Sequence, residues 1–454
     1  MVPRALLRAW TALLLISLSI WQDCSASPFT PPKVYRERLK NGLLVLIVER
    51  PQLPIVNLSL MIKSGATAER EEKAGLANLV SALLTKGTKN KTAGEIAEMV
   101  DFLGAKLSTR CEHDASYLSL SMLKKDFAAG LDIFCDLLLN PTFKQEELER
   151  RKSEIIAELI RRKDDPHLVG QETFNETIFG RHPYHCPVEG YTNTVKEIMR
   201  TDLEDFYQNF YRPNNSVLAI VGDVKRKEVL TQIKKLLKVW EAKFVFSLSY
   251  SPPSTFQKSQ LKFVQKKLSQ AYIYLGFVGL SRKNPDFYAV RLMNYILGGG
   301  GFASRMTNNI RVKQGLAYDV DSYFEARLQP GPFVASLQTK NESADTALKS
   351  LLYEMRRLQE TPVSEEELSE AKSFYTGFLP FRIETNEYLS ELLLAIELHN
   401  LGQNYFQDYF RKIEEVTVED IQRVAREYLC PDRFTLVIVG DTTKINLNLL
   451  ELER

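Results

Sequence analysis

The chain repeats itself, and that duplication constrains its fold more than any other feature. RPNNSVLAIVGDV sets Pro213 nine residues before Gly222, and CPDRFTLVIVGDT sets Pro431 nine residues before Gly440. Each block is an apolar, β-branched run that closes on Val-Gly-Asp and follows a helix-like stretch. The two glycines stand 218 residues apart. EELERRKS ends at Ser153 and EELSEAKS at Ser373, an offset of 220, and the looser pair of helical stretches before Gly104 and Gly315 gives 211. Three anchors in one order, at nearly one offset, predict two homologous halves. The halves span residues 33–240 and 260–450. A linker over 241–259 joins them, and its SLSYSPPSTFQK run has the Pro and Ser of an extended connection.

Tyr35–Glu49 predicts a hairpin about Asn41-Gly42, and Pro54–Ser64 continues as a strand. Glu72–Lys86 carries Leu76, Leu79, Val80 and Leu83 at helical spacing and stops at Gly87. Ala93–Leu103 is a second helix, ending at Gly104; Leu107–Leu123 alternates as strand; Lys144–Lys163 is a long charged helix. Strands and helices mix without regular βαβ alternation. The predicted class is therefore α+β, each half a mostly antiparallel sheet with helices packed on one face.

Composition excludes some functions. Lys+Arg 59 against Asp+Glu 57 leaves a net charge of +2, so there is no basic excess to bind nucleic acid. With 44% hydrophobic residues the chain is neither disordered nor collagen-like. Met1–Ser27 reads as a secretory signal peptide: Arg4 and Arg8 lead, Trp10–Trp21 is uncharged, and Ser25, Ala26 and Ser27 precede Pro28. That run is shorter than the roughly 20 residues of a membrane span, and no other stretch is apolar enough. Trp21 and Asp23 disfavour lipoprotein processing at Cys24, and the continuous apolar run disfavours an amphipathic mitochondrial presequence. The prediction is export to a bacterial periplasm, with secretion or mitochondrial import as alternatives. Cys111, Cys135, Cys186 and Cys430 remain after cleavage and form no CxxC, which excludes a zinc ribbon or thioredoxin-like site and leaves their oxidation state open.

Further blocks add up along the chain: NGLLVLIVER (41–50), IKSGATAE (62–69), GLANLVSALLTKGT (75–88), HPY (182–184) and GGGGFASRMTNNIRVKQGLAYDV (298–320). With the two Val-Gly-Asp strands, they resemble the insulinase/pitrilysin/mitochondrial processing peptidase family of zinc peptidases over almost the whole mature chain. The resemblance implies a half-clamshell that pairs with a second such unit to close a chamber.

The family's zinc motif, His-x-x-Glu-His, falls on the helix within GLANLVSALLTKGT. Histidines at i and i+4 hold the metal, and the Glu activates water. This chain has Asn78 for the first His, Ser81 for the Glu and Ala82 for the second His. Asn is a poor zinc ligand, Ala is none, and a Ser hydroxyl is no base near neutral pH. Glu158 stands where the third ligand belongs, 80 residues after Asn78, and reads as an orphan on a charged helix. The resemblance thus implies no metal in this chain and zinc only in a partner.

Other constellations are weaker. His182, His185 and Cys186 lack a fourth ligand at zinc spacing and read as a structural HPY turn, while His113, His167 and His399 stand alone. TKGTKNKT (85–92) lacks phosphate-loop spacing, and Gly298–Gly301 reads as a flexible loop. One functional pair survives. Arg311 and Tyr318 match the Arg and Tyr, seven residues apart, with which the family binds the substrate backbone. Lys106, Leu107, Ser108 and Thr109 match the edge strand on which it lays an extended peptide.

The resemblance therefore implies a non-catalytic subunit of a heterodimeric zinc peptidase. Such a subunit has no self-contained activity and helps bind a peptide or unfolded polypeptide at the zinc site of an HxxEH-bearing partner. The alternatives are an inert scaffold or peptide-binding protein of the same fold, and catalysis by an unrecognised site.

Overall fold

Which face each strand residue presents decides how the two halves meet. The computed structural model describes residues 29–246, 250–254 and 258–448. The segment predicted as a signal peptide, Met1–Ser27, and positions 247–249 and 255–257 of the predicted linker lie outside the described residues. A short unit, Met1–Pro32, is distinct from one compact unit, Lys33–Arg454, to which everything below refers.

The first sheet holds β1 (Tyr35–Arg38), β2 (Leu44–Glu49), β3 (Ile55–Ile62), β4 (Lys106–Cys111), β5 (Ser116–Leu123) and β6 (Ser216–Gly222), in the order β1-β2-β6-β3-β5-β4. The second holds β7 (Gln260–Gln265), β8 (Gln270–Val278), β9 (Ala317–Phe324), β10 (Pro332–Lys340) and β11 (Thr435–Gly440), in the order β7-β11-β8-β10-β9. Without β1 the two orders are the same. In each sheet the Val-Gly-Asp strand pairs parallel with one strand (β6 with β2, β11 with β7) and antiparallel with the strand that follows it in sequence (β3 and β8). The class is α+β, as the mixed pattern predicts. Leu107–Leu123 divides into β4 and β5, because the chain reverses where the Glu112 N–H donates to the Ala115 carbonyl at 2.8 Å.

Alternation along β3 sends Val56, Leu58, Leu60 and Ile62 into a core shared with Leu79, Val80, Phe134 and Leu148 of the same half's helices. The opposite face, with Leu46, Val48, Ala219 and Val221, is equally dry. A sheet apolar on both faces needs two covers. The second comes from the other half. Helix Asn386–Leu398 lies on β3 and β6, and helix Pro166–Phe179 lies on β8 and β11. These two bracing helices begin 220 residues apart, the offset of the EEL repeats. Helices on one face alone, as the sequence suggests, describe only each half's own contribution.

Both crossings are specific. Asn57 of β3, 1% exposed, donates from Nδ2 to Ser390 Oγ at 2.9 Å, and Arg36 forms a two-point ion pair with Glu397. In the other crossing, Tyr274 of β8 donates its hydroxyl to the His167 carbonyl at 3.0 Å. Two glycines let this helix close on the sheet: a Cβ at Gly170 would sit 2.2 Å from Tyr274 Cε2, and one at Gly276 would sit 2.8 Å from Phe174 Cζ. Packing also revises the glycine run. Gly298 and Gly299 end a π-helical turn, Tyr295–Gly299, where a Cβ on Gly298 would meet Ser322 Oγ at 2.4 Å, so the segment is a packed crossing and not a flexible loop. Among the described residues no helix is long and apolar enough to cross a membrane.

The bracing contact has a testable sign. Gly→Ala inside a helix ordinarily stabilises by about 0.5–1 kcal/mol. Gly377→Ala, with open space around its Cβ, will follow that rule. Gly170→Ala will instead destabilise by about 1–3 kcal/mol in urea unfolding, since Tyr274 is buried and hydrogen-bonded and cannot swing away.

Candidate functional site

Helix Leu76–Leu83 carries the three altered motif positions. Its N-terminus is held by Glu69, whose carboxylate accepts the N–H groups of Gly75 at 2.8 Å and Ala77 at 2.7 Å. Burial pushes Glu69 up to about 8, against the pull of these backbone donors. Gly75 has φ +99°, and a Cβ there would meet the Glu189 carbonyl at 2.7 Å. Sequence reading missed Glu69; the available signal was an acid six residues ahead of a helix-starting glycine.

The Asn78 Nδ2 and Ser81 Oγ atoms are buried without hydrogen-bond partners. Asn78 lines a cavity of about 500 Å3, with Arg162 and Glu189 on its wall. Glu158 faces a cation of the chain's own: Arg162 pairs with Glu158 at 3.0 Å and with Glu189 at 2.8 Å, and Glu172 stands 3.9 Å away. An amide, a hydroxyl and a methyl beside an engaged glutamate are not a zinc donor set. Among the described residues no three His, Cys, Asp or Glu side chains converge to hold a metal. These residues do not fit zinc, and no chemical step is routed through it.

The HPY segment is a structural turn that ties the halves together. His182 Nδ1 accepts the Tyr184 N–H at 3.2 Å. The Tyr184 hydroxyl donates to the Asp114 carboxylate at 2.8 Å and accepts the Gln329 N–H at 3.2 Å. Arg327 lies over the Tyr184 ring, 4.7 Å from its centroid. His113 stacks edge-on against Tyr184, its Nε2 3.1 Å from the Cys186 carbonyl, and burial pushes it down to about 3. Burial likewise holds His182 and His399 down at about 4, with Arg327 and Arg282 adding to the effect respectively. Cys111, Cys135, Cys186 and Cys430 are free thiols. Burial raises Cys135 and Cys186 to about 12, which leaves them unreactive as nucleophiles.

Arg311 and Tyr318 come together in the second half. Arg311 belongs to the π-helical segment Thr307–Lys313 and Tyr318 to β9, the outer strand. The Arg311 Cζ is 5.4 Å from the Tyr318 ring and 4.9 Å from that of Phe302, so two rings hold the guanidinium while Tyr318 stays 75% exposed. Phe302 was not read from sequence, because nothing in a glycine run marks one aromatic as a clamp. Lys106, Leu107, Ser108 and Thr109 lie on β4, the outer strand of the first sheet, and alternate between exposed and half-buried. Lys106 reaches Glu387 of the second bracing helix at 3.4 Å.

With this geometry in view, two family models match successive parts of the chain. Insulinase (Peptidase family M16) covers residues 44–191, and Peptidase M16 inactive domain covers residues 197–375. The chain belongs to the M16 peptidase family. An uncharacterized zinc protease of Rickettsia bellii is 28% identical over 81% of this chain and 86% of its own length. The crystal structure of a peptidase M16 inactive domain from Pseudomonas fluorescens superposes with a TM-score of 0.85 at 28% identity, over 91% of this chain and all of that one. The periplasmic protease PqqL of Escherichia coli has the same fold: TM-score 0.75, 18% identity, over 93% of this chain but only 50% of that chain. Asn78, Ser81 and Ala82 make this M16 chain a non-catalytic member by residue content.

His113 gives the M16 core a pH signature. The unfolded imidazole takes a proton near 6.5, whereas the folded one stays neutral to about 3. Across that window the unfolded state binds the extra proton, so this residue's contribution falls as pH falls, by about 1.4 kcal/mol per unit. His113→Gln removes the term. The stability advantage of the natural chain over that variant will shrink by about 1–2 kcal/mol between pH 6.5 and 5 in urea unfolding.

Proposed function

We propose that this M16 chain is the exported, non-catalytic subunit of a heterodimeric zinc metallopeptidase. It presents Arg311 and Tyr318 to a peptide whose scissile bond lies at the zinc site of an HxxEH-bearing partner. One observation carries this reading: Arg311 lies against the rings of Phe302 and the exposed Tyr318, with no carboxylate partner among the described residues. A scaffold has no use for that arrangement. A cationic fork and a hydroxyl hold a peptide carbonyl in a defined place, and the free edge of β4 can pair with an extended chain by main-chain hydrogen bonds.

The need for a partner follows from what the chain lacks. Its own motif positions supply neither ligand nor base, so the bond-breaking groups come from elsewhere. The fold fills half of the PqqL chain, which supports a pairing of two such units in this reading as well. The signal-like Met1–Ser27 segment and the periplasmic neighbour support export.

The decisive experiment begins with a pull-down of the tagged mature chain from the exported fraction, and the partner expected is a homologue carrying HxxEH. The purified chain alone will cleave no peptide with or without added zinc. In the assembled pair, Arg311→Ala will lower kcat/KM about 10- to 100-fold while the pair stays associated. An unchanged kcat/KM, or recovery of only the chain itself or membrane-complex proteins, would move the assignment to a scaffold.

A further inference from the structure

Behind the Arg311–Tyr318 pair the second half opens into a cavity of about 810 Å3, whose wall also carries Arg282, Arg291 and Arg382. Elsewhere in this half buried arginines are neutralised: Arg305 forks onto Glu367, and Arg327 onto Glu325. Two of the cavity arginines, Arg282 and Arg291, meet aromatic faces instead. Arg282 lies 3.6 Å from the Phe287 ring centroid, and its guanidinium meets the Tyr405 hydroxyl, 3.4 Å from Nη2, and the Tyr288 phenol. Arg291 lies 4.1 Å from the Tyr375 ring. Neither has a carboxylate partner among the described residues.

Ring faces fix each guanidinium's plane, and the neutral phenol oxygens that accept from it leave its charge unbalanced, an arrangement that suits a planar, two-oxygen anion. The acids on the same wall do little to supply one. Glu325 is taken by Arg327, which leaves Asp319 and Asp321, the latter accepting the Ser336 hydroxyl, on a wall with four arginines. The Asn78 cavity has the opposite character, with Glu112, Asp114, Glu172 and Glu189 on its wall. The two cavities share Glu325, Ala326 and His399, so they adjoin as an acidic end and a basic end.

We propose that the Arg282–Arg291–Arg382 cavity is a carboxylate-binding subsite for a peptide held at Arg311 and Tyr318. It takes either an acidic side chain or a terminal carboxylate, and it rests on the peptide-binding reading above. The site confers preference and needs neither zinc nor partner to show itself.

The test is fluorescence anisotropy on the purified mature chain with four labelled peptides of one length: a capped neutral peptide, the same with one Gln, the same with Glu in its place, and the neutral one with a free C-terminus. The Glu peptide or the free-carboxylate peptide will bind about tenfold or more tightly than its neutral counterpart at low salt, and whichever shows the gain identifies the carboxylate source. Arg282→Gln and Arg291→Gln will each erase that gain, and Arg291→Lys, which keeps charge without the planar fork, will restore only part of it. Arg311→Ala will weaken all four peptides. Equal binding of charged and neutral peptides by the natural chain overturns the subsite, and so does a gain that survives both Gln variants. Glutarate separates this failure from that of the broader reading. A chain that binds no peptide, yet unfolds at higher temperature with glutarate and loses that shift in Arg291→Gln, has the carboxylate site and lacks the peptide-binding role. A chain indifferent to glutarate and to Glu-for-Gln lacks the site, whatever Arg311→Ala does to cleavage in the pair.

Discussion

The exchange of bracing helices is the contact on which the rest of the structure depends. Each sheet buries one face against its own half and the other against a helix supplied by its duplicate. Taking that helix away would expose Leu46, Val48, Ala219 and Val221 on one side, or Tyr274, Val437 and Val439 on the other. Fully buried aliphatic side chains are worth about 1.5–3 kcal/mol each, so neither half is expected to be stable without its counterpart. The duplication is therefore one cooperative unit. The Arg36–Glu397 and Asn57–Ser390 contacts add direction to an apolar contact that by itself would tolerate sliding.

That exchange also builds the floor on which both cavities sit. Helix Pro166–Phe179 runs directly into the HPY turn, and the turn is locked to the other half through Tyr184, Asp114 and the Leu328–Gln329 backbone. The Asn78 cavity therefore has walls from both halves, and its position does not depend on what occupies the motif helix. Glu69 and Gly75 hold that helix from outside the motif. Replacing ligands by Asn78, Ser81 and Ala82 can remove chemistry without disturbing the frame.

The parts of this fold legible in sequence were those that repeat locally. Val-Gly-Asp located β6 and β11, the Asn-Gly turn located the β1–β2 hairpin, and Arg311 and Tyr318, spaced across one turn and the start of a strand, proved to be neighbours. What was not legible depends on distance along the chain. Helix Pro166–Phe179 looks like any charged-to-apolar helix until Gly170 meets Tyr274, more than a hundred residues away. The run Gly298–Gly301 suggests freedom in sequence, and only the approach of Ser322 shows that two of its glycines are demanded by crowding. The arginine cavity gathers residues from 282 to 382, with no local pattern to join them.

Arg162 separates a lost metal site from an empty one. Glu158, Glu172 and Glu189 surround the Arg162 guanidinium at the edge of the Asn78 cavity, and carboxylates so gathered repel unless a cation lies among them. A metal is one such cation, and an arginine is another. Here the guanidinium takes the position between Glu158 and Glu189, with two ion pairs of 3.0 Å and 2.8 Å. The charge balance is thus closed by a covalently attached group that cannot leave. Burial still raises Glu172, 3.9 Å from the same arginine, so its share of that cation is small. In the second half the imbalance has the opposite sign, and among the described residues Arg282 and Arg291 have no carboxylate partner. The first cavity has settled its charge internally, whereas in the second Arg282 and Arg291 meet aromatic rings and phenol oxygens in place of carboxylates.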